Sequence, residues 1–260
     1  MWLLSAAIFA GCKWLTWRRT VAPGAQWWQH AGYLLAWPGL DAGAFLSSKR
    51  LPAREQVHPG EWGIGAVSLI IGVALFWGWA GWVSDDHEII FGWLGMIGLI
   101  LMLHFGAFHL LSCAWRRLGI DARPLMNRPL SSVSVGEFWG RRWNTAFRDL
   151  THRFLFRPLN SRVGPRWAIL AGFVFSGLIH DVVISVPAGG GYGGPTLFFG
   201  TQAVAMFAER SRVGRAIGLG RGARGRLFTM LILVLPAYGL FHPPFVRNIM
   251  VPFMHALGVH

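Results

Sequence analysis

The sequence predicts an all-α, polytopic membrane protein with about seven or eight membrane helices and one further amphipathic helix at the membrane interface. Hydrophobic residues make up 53% of the 260 residues, charged residues make up only 13%, and the mean hydropathy is +0.43. This balance is typical of helical membrane proteins and unlike that of soluble globular domains. Several apolar runs approach the roughly 20 residues that a helix needs to cross a bilayer.

Arginine accounts for nearly all of the formal net charge of +13, and it concentrates in the connectors between apolar runs. Basic connectors that join membrane helices follow the positive-inside rule and attract anionic lipid head groups. A nucleic-acid-binding protein is basic as well. Because the arginines concentrate in the connectors between apolar runs, the pattern favours membrane lipids as partners and argues against nucleic acid.

The N-terminal part of the chain contains two apolar segments. Residues 1–16 predict a short retained segment that ends at a basic boundary. Residues 27–46 predict a kinked or re-entrant helix, because Pro38 and Gly39 interrupt the apolar run. The basic residues of the connector that follows are Lys49, Arg50 and Arg54.

Two apolar runs in the middle of the chain, 64–83 and 89–111, predict membrane helices. The turn between them contains Asp85 and Asp86, and its acidity fits the outer side of the membrane. The connector 116–166 is long and rich in arginine, so we expect it on the inner side. The remaining predicted membrane segments are 167–186, 196–208, 227–241 and 245–259.

Residues 188–195 form a glycine-rich loop with the sequence AGGGYGGP. The loop does not lead into a Gly-Lys-Ser/Thr sequence and does not follow a strand, so phosphate binding is not expected. Its composition predicts a flexible connector on the outer side. No internal repeat is evident, and the sequence predicts one domain over residues 1–260.

No metal site is expected from the sequence. The two cysteines, Cys12 and Cys113, belong to different apolar segments and predict neither a disulfide framework nor a zinc-type cluster. His104 and His109 fall on different helix faces, which makes them a poor metal pair. The histidines near the ends of predicted membrane segments are expected at the interface, and they are His30, His58, His87, His242, His255 and His260.

The segment that begins at Ser134 predicts an amphipathic helix. Ser134 and Glu137 form a capping-box pattern. An aromatic and aliphatic stripe opposite an arginine-rich stripe is typical of a helix that lies in a membrane interface. The pattern also fits a plain anchor helix, in which Asn144 is one more polar residue. At about 100° per residue, the polar stripe holds Glu137, Arg141, Asn144, Arg148 and His152, and the apolar stripe holds Trp139, Trp143, Ala146, Leu150 and Phe154.

His180 and Asp181 interrupt the apolar run 167–186. An ionisable residue at that depth is costly and indicates either a functional site or a hydrogen-bonded histidine inside a helix bundle. Asp181 is expected to face away from His180, as adjacent helical residues do, and to pair with an arginine. Small residues beside the His180 face permit either close helix packing or a channel, and they are Gly172, Ser176 and Gly177.

Two of these segments carry a resemblance to a known family. The sequences PLMNRPLSS and FWGRRWN, which ends at Asn144, together with SGLIHD at Ser176–Asp181, resemble the wax-synthase branch of the membrane-bound O-acyltransferases. The resemblance extends over about residues 100–215. It implies that the motif asparagine and the membrane-embedded histidine form the active site, which here are Asn144 and His180. Two further matching segments are LHFG at Leu103–Gly106 and AER at Ala208–Arg210.

The resemblance implies transfer of a fatty acyl group from acyl-CoA, as co-substrate, to a hydroxyl-bearing lipid such as a long-chain alcohol. The imidazole of His180 fits a general base, and Asn144 fits either an amide donor to the thioester carbonyl or a group that orients the substrate. No further cofactor is expected. Substrate contacts are expected from Arg141, Arg142, Trp143 and Arg148, although the arginines suit anchoring at the membrane surface equally well.

Two other functions stay open at this level. In the first, a protein of the same fold acylates the hydroxyl of a polysaccharide, a glycolipid or a secondary metabolite. In the other, the protein is a small membrane transporter in which His180 and Asp181 serve translocation. The short loops and the arginine-rich, lysine-poor composition predict a multi-pass protein of a bacterial inner membrane.

Overall fold

The computed structural model describes residues 1–47, 57–83 and 87–259. This part of the chain is helical without strands, which confirms the all-α prediction. The connector residues Lys49, Arg50 and Arg54, the turn residues Asp85 and Asp86, and His260 lie outside the described residues.

Several α-helices are short because π-helical turns divide longer helical stretches. The π-helical turns are Ala74–Trp79, Ile100–Ala107, Phe138–Arg142, His152–Phe156, Asp181–Ser185 and Val246–Met250. In chain order the helices are α1 (Trp2–Arg18), α2 (Trp27–Ala36), α3 (Ala42–Phe45), α4 (Pro59–Val73), α5 (Glu88–Leu99), α6 (Phe108–Arg117), α7 (Val135–Glu137), α8 (Thr145–Thr151), α9 (Arg157–Val163), α10 (Pro165–His180), α11 (Val186–Ala188), α12 (Gly194–Arg210), α13 (Arg212–Ala216), α14 (Gly222–Val234), α15 (Ala237–Leu240), α16 (Pro243–Phe245) and α17 (Val251–Ala256).

Four continuous helical segments of the described chain are long and apolar enough to cross a membrane, by their length and composition. They correspond to four of the predicted membrane segments. The predicted total of seven or eight is not confirmed. The four segments are Pro59–Trp82, Glu88–Arg117, Pro165–Ala188 and Gly222–Leu240.

The chain packs as two compact units. The C-terminal unit comprises residue 1 and residues 127–144 and 151–253, and the N-terminal unit comprises residues 2–126, 145–150 and 254 onward. This division concerns packing, so a single acyltransferase domain over residues 1–260 stays a prediction.

In the N-terminal unit, the predicted interruption at Pro38 is confirmed. Helix α2 ends at Ala36, Trp37 is extended, and α3 begins after Asp41, whose carboxylate accepts a hydrogen bond from the Ala44 N–H (3.0 Å). The aromatic rings of this region pack into a core whose fully buried members include Tyr33 and Phe45.

In the C-terminal unit, α10 and α12 pack closely. A Cβ atom on Gly177 would lie 2.6 Å from the Cα of Thr196, so this position requires glycine. A Cβ on Gly172 would have no neighbour within 4 Å. Of the two roles predicted for the small residues of α10, close packing therefore applies to Gly177, whereas Gly172 faces open space.

The prediction of one amphipathic helix from Ser134 through Phe154 is wrong, because the helix ends at Arg142. Trp143 is extended and Asn144 has a left-handed backbone (φ 42°). The N–H of Thr145 donates to the carbonyl of Leu125 (3.0 Å), which is not part of this helix.

The apolar stripe of that segment is divided between two protein cores. Trp139 packs against Val135, Ala205 and Met206 in the C-terminal unit. Ala146 and Leu150 pack in the core of the N-terminal unit. Helical periodicity identified three residues that pack in protein cores but assigned them to one surface.

The sequence predicted a flexible connector at the glycine-rich loop, but the loop packs against other parts of the C-terminal unit. Gly189, Gly191 and Gly193 all have positive φ values, which glycine adopts readily. A Cβ on Gly191 would lie 2.2 Å from the ring of His242, so the loop backbone contacts this side chain directly.

Candidate active site

The FWGRRWN segment starts from a well-capped turn. The Oγ of Ser134 accepts a hydrogen bond from the N–H of Glu137 (2.9 Å), as the capping pattern predicts. The Glu137 carboxylate accepts from the N–H of Val133 (2.8 Å), one residue earlier than in a regular capping box. This bond and the guanidinium of Arg142 hold the pKa of Glu137 below its usual value.

A buried carboxylate from α12 holds the same turn. Glu209 is 5% exposed, and it accepts hydrogen bonds from the N–H groups of Val135 (2.7 Å) and Gly136 (2.9 Å). The first N–H groups of a helix have no partner within the helix and carry partial positive charge, so a carboxylate is stabilising there. The AER segment thus has a structural role, which sequence analysis did not identify.

Arg142 and Trp143, two of the predicted substrate contacts, have partners inside the C-terminal unit. Arg142 forms an ion pair with Glu137 (2.7 Å) and donates to the carbonyl oxygens of Asn127 (3.3 Å) and Arg128 (3.2 Å). The ring of Trp143 stacks on Phe138 at 5.4 Å between centroids. Their predicted role in substrate binding stays a prediction.

Arg148, a third predicted contact, lies on α8 in the N-terminal unit. Its Nη2 atom is 2.6 Å from the Asp149 carboxylate, and both side chains are partly exposed. Arg141, the fourth, lines a cavity of the C-terminal unit.

Trp139 lies in an aromatic cluster between α10 and α12. Its ring centroid is 6.0 Å from that of Phe173 and 5.4 Å from that of Phe199. Its indole N–H donates to the Oε1 of Gln202 (3.3 Å), and the amide of Gln202 donates to the carbonyl of Ile232 (2.9 Å). Gln202 is fully buried, so these bonds satisfy polar groups that have no access to water.

His180 closes α10 directly before a π-helical turn. Its Nδ1 atom lies 2.7 Å from the carbonyl oxygen of Ser176. Because a carbonyl only accepts hydrogen bonds, Nδ1 must carry the proton, and in the neutral ring Nε2 then holds a lone pair. No described residue forms a hydrogen bond with Nε2. The ring lies 4.6 Å from that of Phe199.

Phe199 therefore contacts both halves of the predicted site. Its ring packs against Trp139 of the FWGRRWN segment and against His180 of the SGLIHD segment. Asn144 lies at the left-handed bend that ends the first segment. Asparagine tolerates this backbone region better than most residues do. Sequence analysis missed Phe199 and Gln202, since their position beside the site depends on how α10 packs against α12.

Asp181 binds the start of α12 and the glycine-rich loop instead of the predicted arginine. One carboxylate oxygen accepts hydrogen bonds from Ser185 Oγ (2.9 Å) and from the N–H of Gly193 (2.8 Å). The other accepts from the N–H (3.1 Å) and the hydroxyl of Thr196. A carboxylate at a helix N-terminus is favourable. Asp181 therefore fixes the turn that follows His180.

His242 is buried, not interfacial as predicted, and it joins the network of Asp181. Its Nδ1 accepts a hydrogen bond from the N–H of Phe245 (3.2 Å), so in the neutral ring the proton lies on Nε2. Nε2 is 3.1 Å from the Oγ of Ser185, which in turn donates to Asp181. Burial lowers the pKa of His242 below its usual value. The direction of these bonds prevents His242 from acting as a base toward Ser185.

A cavity of about 750 Å³ lies beside the FWGRRWN turn. Four arginines and two glutamates, Glu137 and Glu209, line the cavity, so its lining carries a net positive charge. Guanidinium groups bind phosphates through paired, charge-assisted hydrogen bonds. The arginines that line the cavity are Arg141, Arg210, Arg215 and Arg221.

Residues 122–201 match the Membrane bound O-acyl transferase family. The matched segment contains Trp139, Asn144, His180 and Phe199, and so includes most of the site described above. This match confirms the resemblance inferred from the FWGRRWN and SGLIHD segments. Together with the four apolar helices, it supports an integral membrane protein.

Curated relatives include enzymes of this acyltransferase family. The long-chain-alcohol O-fatty-acyltransferase of Simmondsia chinensis is 31% identical over 145 residues, which cover 50% of this chain and 40% of the relative. The probable long-chain-alcohol O-fatty-acyltransferase 9 of Arabidopsis thaliana is 32% identical over 145 residues, 50% of this chain and 42% of the relative.

A third relative, acyl-CoA–sterol O-acyltransferase 1 of Arabidopsis thaliana, is 34% identical over 71 residues, 25% of this chain and 21% of the relative. The chain thus matches about two fifths of the length of the two alcohol acyltransferases. No solved structure matches the chain.

Proposed function

We propose that this protein is a membrane-bound O-acyltransferase that transfers a fatty acyl group from acyl-CoA to a lipid hydroxyl, with a long-chain alcohol as the first candidate acceptor. One observation carries the proposal: the Nδ1 atom of His180 is occupied by the Ser176 carbonyl, which leaves the lone pair of Nε2 available as a base. The names of the alcohol acyltransferase relatives support the acceptor class.

In this mechanism, His180 removes the proton from the acceptor hydroxyl as its oxygen attacks the thioester carbonyl. The carbon–sulfur bond then breaks, and the departing thiolate of coenzyme A receives the proton from the imidazolium. Since thiolate is a good leaving group, no covalent acyl-enzyme is needed. Phe199 beside His180, with Trp139 packed against Phe199, provides an apolar surface that limits competing hydrolysis by water.

The basic cavity is the proposed site for the phosphates of acyl-CoA. It adjoins the FWGRRWN turn through Arg141, and the connector after α12 supplies Arg210, Arg215 and Arg221. The internal ion pair of Arg142 makes it a less suitable phosphate ligand than Arg141.

The membrane arrangement in this proposal has seven or eight membrane helices in a bacterial inner membrane. The four long apolar helices form the basis of the count. The shorter segments that complete it are α1, α2 with α3, α12, and the stretch from α16 to α17.

The test uses membranes that contain the full chain, labelled palmitoyl-CoA and separate acceptors: a long-chain alcohol, diacylglycerol, a sterol and a sugar. We expect wild type to form a labelled ester with the alcohol and His180→Ala to form none. His87→Ala is the matched control, because His87 is exposed and lies outside the site, and it should retain wild-type turnover. Ester formation by correctly inserted His180→Ala would remove His180 from the mechanism.

Asn144 is tested by a pair of substitutions that separates its amide from its backbone conformation. Asn144→Gly keeps the left-handed bend and removes the amide, whereas Asn144→Ala removes the amide and adds strain of about 1–2 kcal/mol. If the amide binds the thioester carbonyl, both variants should lose about 100-fold or more in turnover. Near-normal turnover by Asn144→Gly alone would show that the residue serves only the bend.

A sterol is the second candidate acceptor. The similarity of part of the chain to a plant acyl-CoA–sterol O-acyltransferase favours it. The same assay distinguishes the two acceptors, since the labelled sterol ester and the labelled alcohol ester are separate products.

A further inference from the structure

Three side chains capable of binding a metal ion converge in the N-terminal unit, outside the proposed acyltransferase site. Glu61 lies in the first turn of α4, and His109 and Cys113 lie on α6. One potential ligand atom from each residue falls within 4.8 Å of the other two. The sequence predicts no metal site, because Cys12 and Cys113 belong to different apolar segments and His104 and His109 fall on different helix faces.

Helix geometry explains the convergence. His109 and Cys113 are four residues apart, so they occupy one face of α6. Gly65, one turn beyond Glu61 on α4, allows α6 to approach: a Cβ there would lie 2.9 Å from Leu110 and 3.3 Å from the His109 ring. This close contact brings the Glu61 carboxylate within reach of the α6 pair.

The state of the three groups points to a ligand. The Nε2 atom of His109 is buried and has no hydrogen-bond partner among the described residues. Cys113 is fully buried. Glu61 retains 27% exposure, which leaves a path from solvent. A buried imidazole nitrogen without a partner is unfavourable, and a cation bound between these groups would provide that partner.

Arg116 is the resident cation near this cluster. Its guanidinium lies 2.5 Å from Glu61 and 3.7 Å from the Cys113 sulfur, and it also donates to Ser112 (3.3 Å). Donors to a ligand carboxylate and a ligand sulfur are common around bound metals, where they orient the ligands. Arg116 thus neutralises Glu61 without metal and supports both ligands with metal bound.

We propose that Glu61, His109 and Cys113 bind a zinc-class divalent ion, with a fourth position open to water. One imidazole nitrogen, one thiolate and one carboxylate oxygen form a ligand set typical of zinc, whereas magnesium and calcium prefer oxygen ligands alone. Binding releases the thiol proton of Cys113 to solvent. The ion joins α4 to α6 and is independent of the proposed acyl transfer.

The test titrates cobalt(II), a spectroscopic substitute for zinc, into the purified full chain in detergent micelles. We expect a thiolate-to-cobalt absorption band that saturates at one ion per chain and disappears when zinc is added. Cys113→Ser should abolish the band, and Cys12→Ser, the matched control, should retain it. His109→Ala should bind cobalt at least tenfold more weakly.

No saturable band in wild type, or an unchanged band in Cys113→Ser, would overturn the proposal. Unchanged cobalt affinity in His109→Ala would also overturn it. Size-exclusion elution of each variant at the wild-type position shows that the variants are folded. Palmitoyl transfer is not used as a readout, so failure of the metal proposal leaves the proposed function untouched.

Discussion

Two histidines of the C-terminal unit form opposite hydrogen bonds through the same ring atom. The Nδ1 of His180 donates to the Ser176 carbonyl, whereas the Nδ1 of His242 accepts from the N–H of Phe245. The proton of the neutral ring is therefore on Nδ1 in His180 and on Nε2 in His242. The backbone group that meets Nδ1 decides which nitrogen is left to act as a base.

The surroundings of the two rings reinforce this difference. Nε2 of His180 has no partner among the described residues, and its ring contacts Phe199. Nε2 of His242 donates to Ser185, which donates to Asp181. His180 thus suits proton transfer, and His242 suits stabilisation of the turn after His180.

The largest expected effect is a difference in turnover between variants of His180 and His242. His180→Gln should lower ester formation by at least about 100-fold, because glutamine cannot act as a base. His242→Gln should lower it by no more than a few fold, since His242 is not proposed to touch the substrate. Initial rates with labelled palmitoyl-CoA, normalised to the amount of inserted protein, measure both. Equal losses in the two variants would contradict the distinction between them.

The next largest effect is on stability, and here we expect His242 to matter. His242→Ala removes the acceptor of the Phe245 N–H and one hydrogen bond of Ser185, and a buried group left unpaired costs about 1–3 kcal/mol. Thermal unfolding in detergent should therefore show a lower midpoint for this variant. His152→Ala, at an exposed histidine of the same unit, is the control and should unfold like wild type. A midpoint for His242→Ala equal to that of the control would show that the network contributes no stability.

The smallest effect is a pH dependence carried by His242. Burial lowers its pKa in the folded protein, and the nearby charge of Asp181 opposes this shift without outweighing it. Below about pH 6.5, His242 is therefore protonated more readily in the unfolded chain than in the folded protein. This contribution to stability is complete above that pH and declines as the pH falls.

The difference between wild type and His242→Gln isolates this contribution, because the other histidines titrate in both proteins. Unfolding midpoints measured between about pH 7.5 and pH 5.5 should fall more steeply for wild type. Parallel curves would mean that His242 does not titrate in this range.

Local features of the site were predictable from sequence. The Ser134 cap, the long apolar helical segment that contains His180 and the interruption at Pro38 depend on neighbouring residues, and all three are present. The match to residues 122–201 likewise confirmed what two short motifs had indicated.

The errors share a physical cause. The bend at Asn144, the partners of Asp181 and the burial of His242 depend on groups far away in sequence: Leu125 for the bend, Thr196 for Asp181, and Ser185 and Gly191 for His242. Periodicity reports which residues are buried, but it does not report which element buries them.

The sequence by itself determined the all-α class, the four long apolar helices, the acyltransferase resemblance and the choice of His180 and Asn144 as candidates. These properties follow from apolar length, local caps and motif spacing. The tertiary structure decided the tautomer of His180, its contact with Phe199, the Glu209 cap and the convergence of Glu61, His109 and Cys113. Hydrogen-bond direction and side-chain contact are set by the packing of helices distant in sequence, so only the folded chain specifies them.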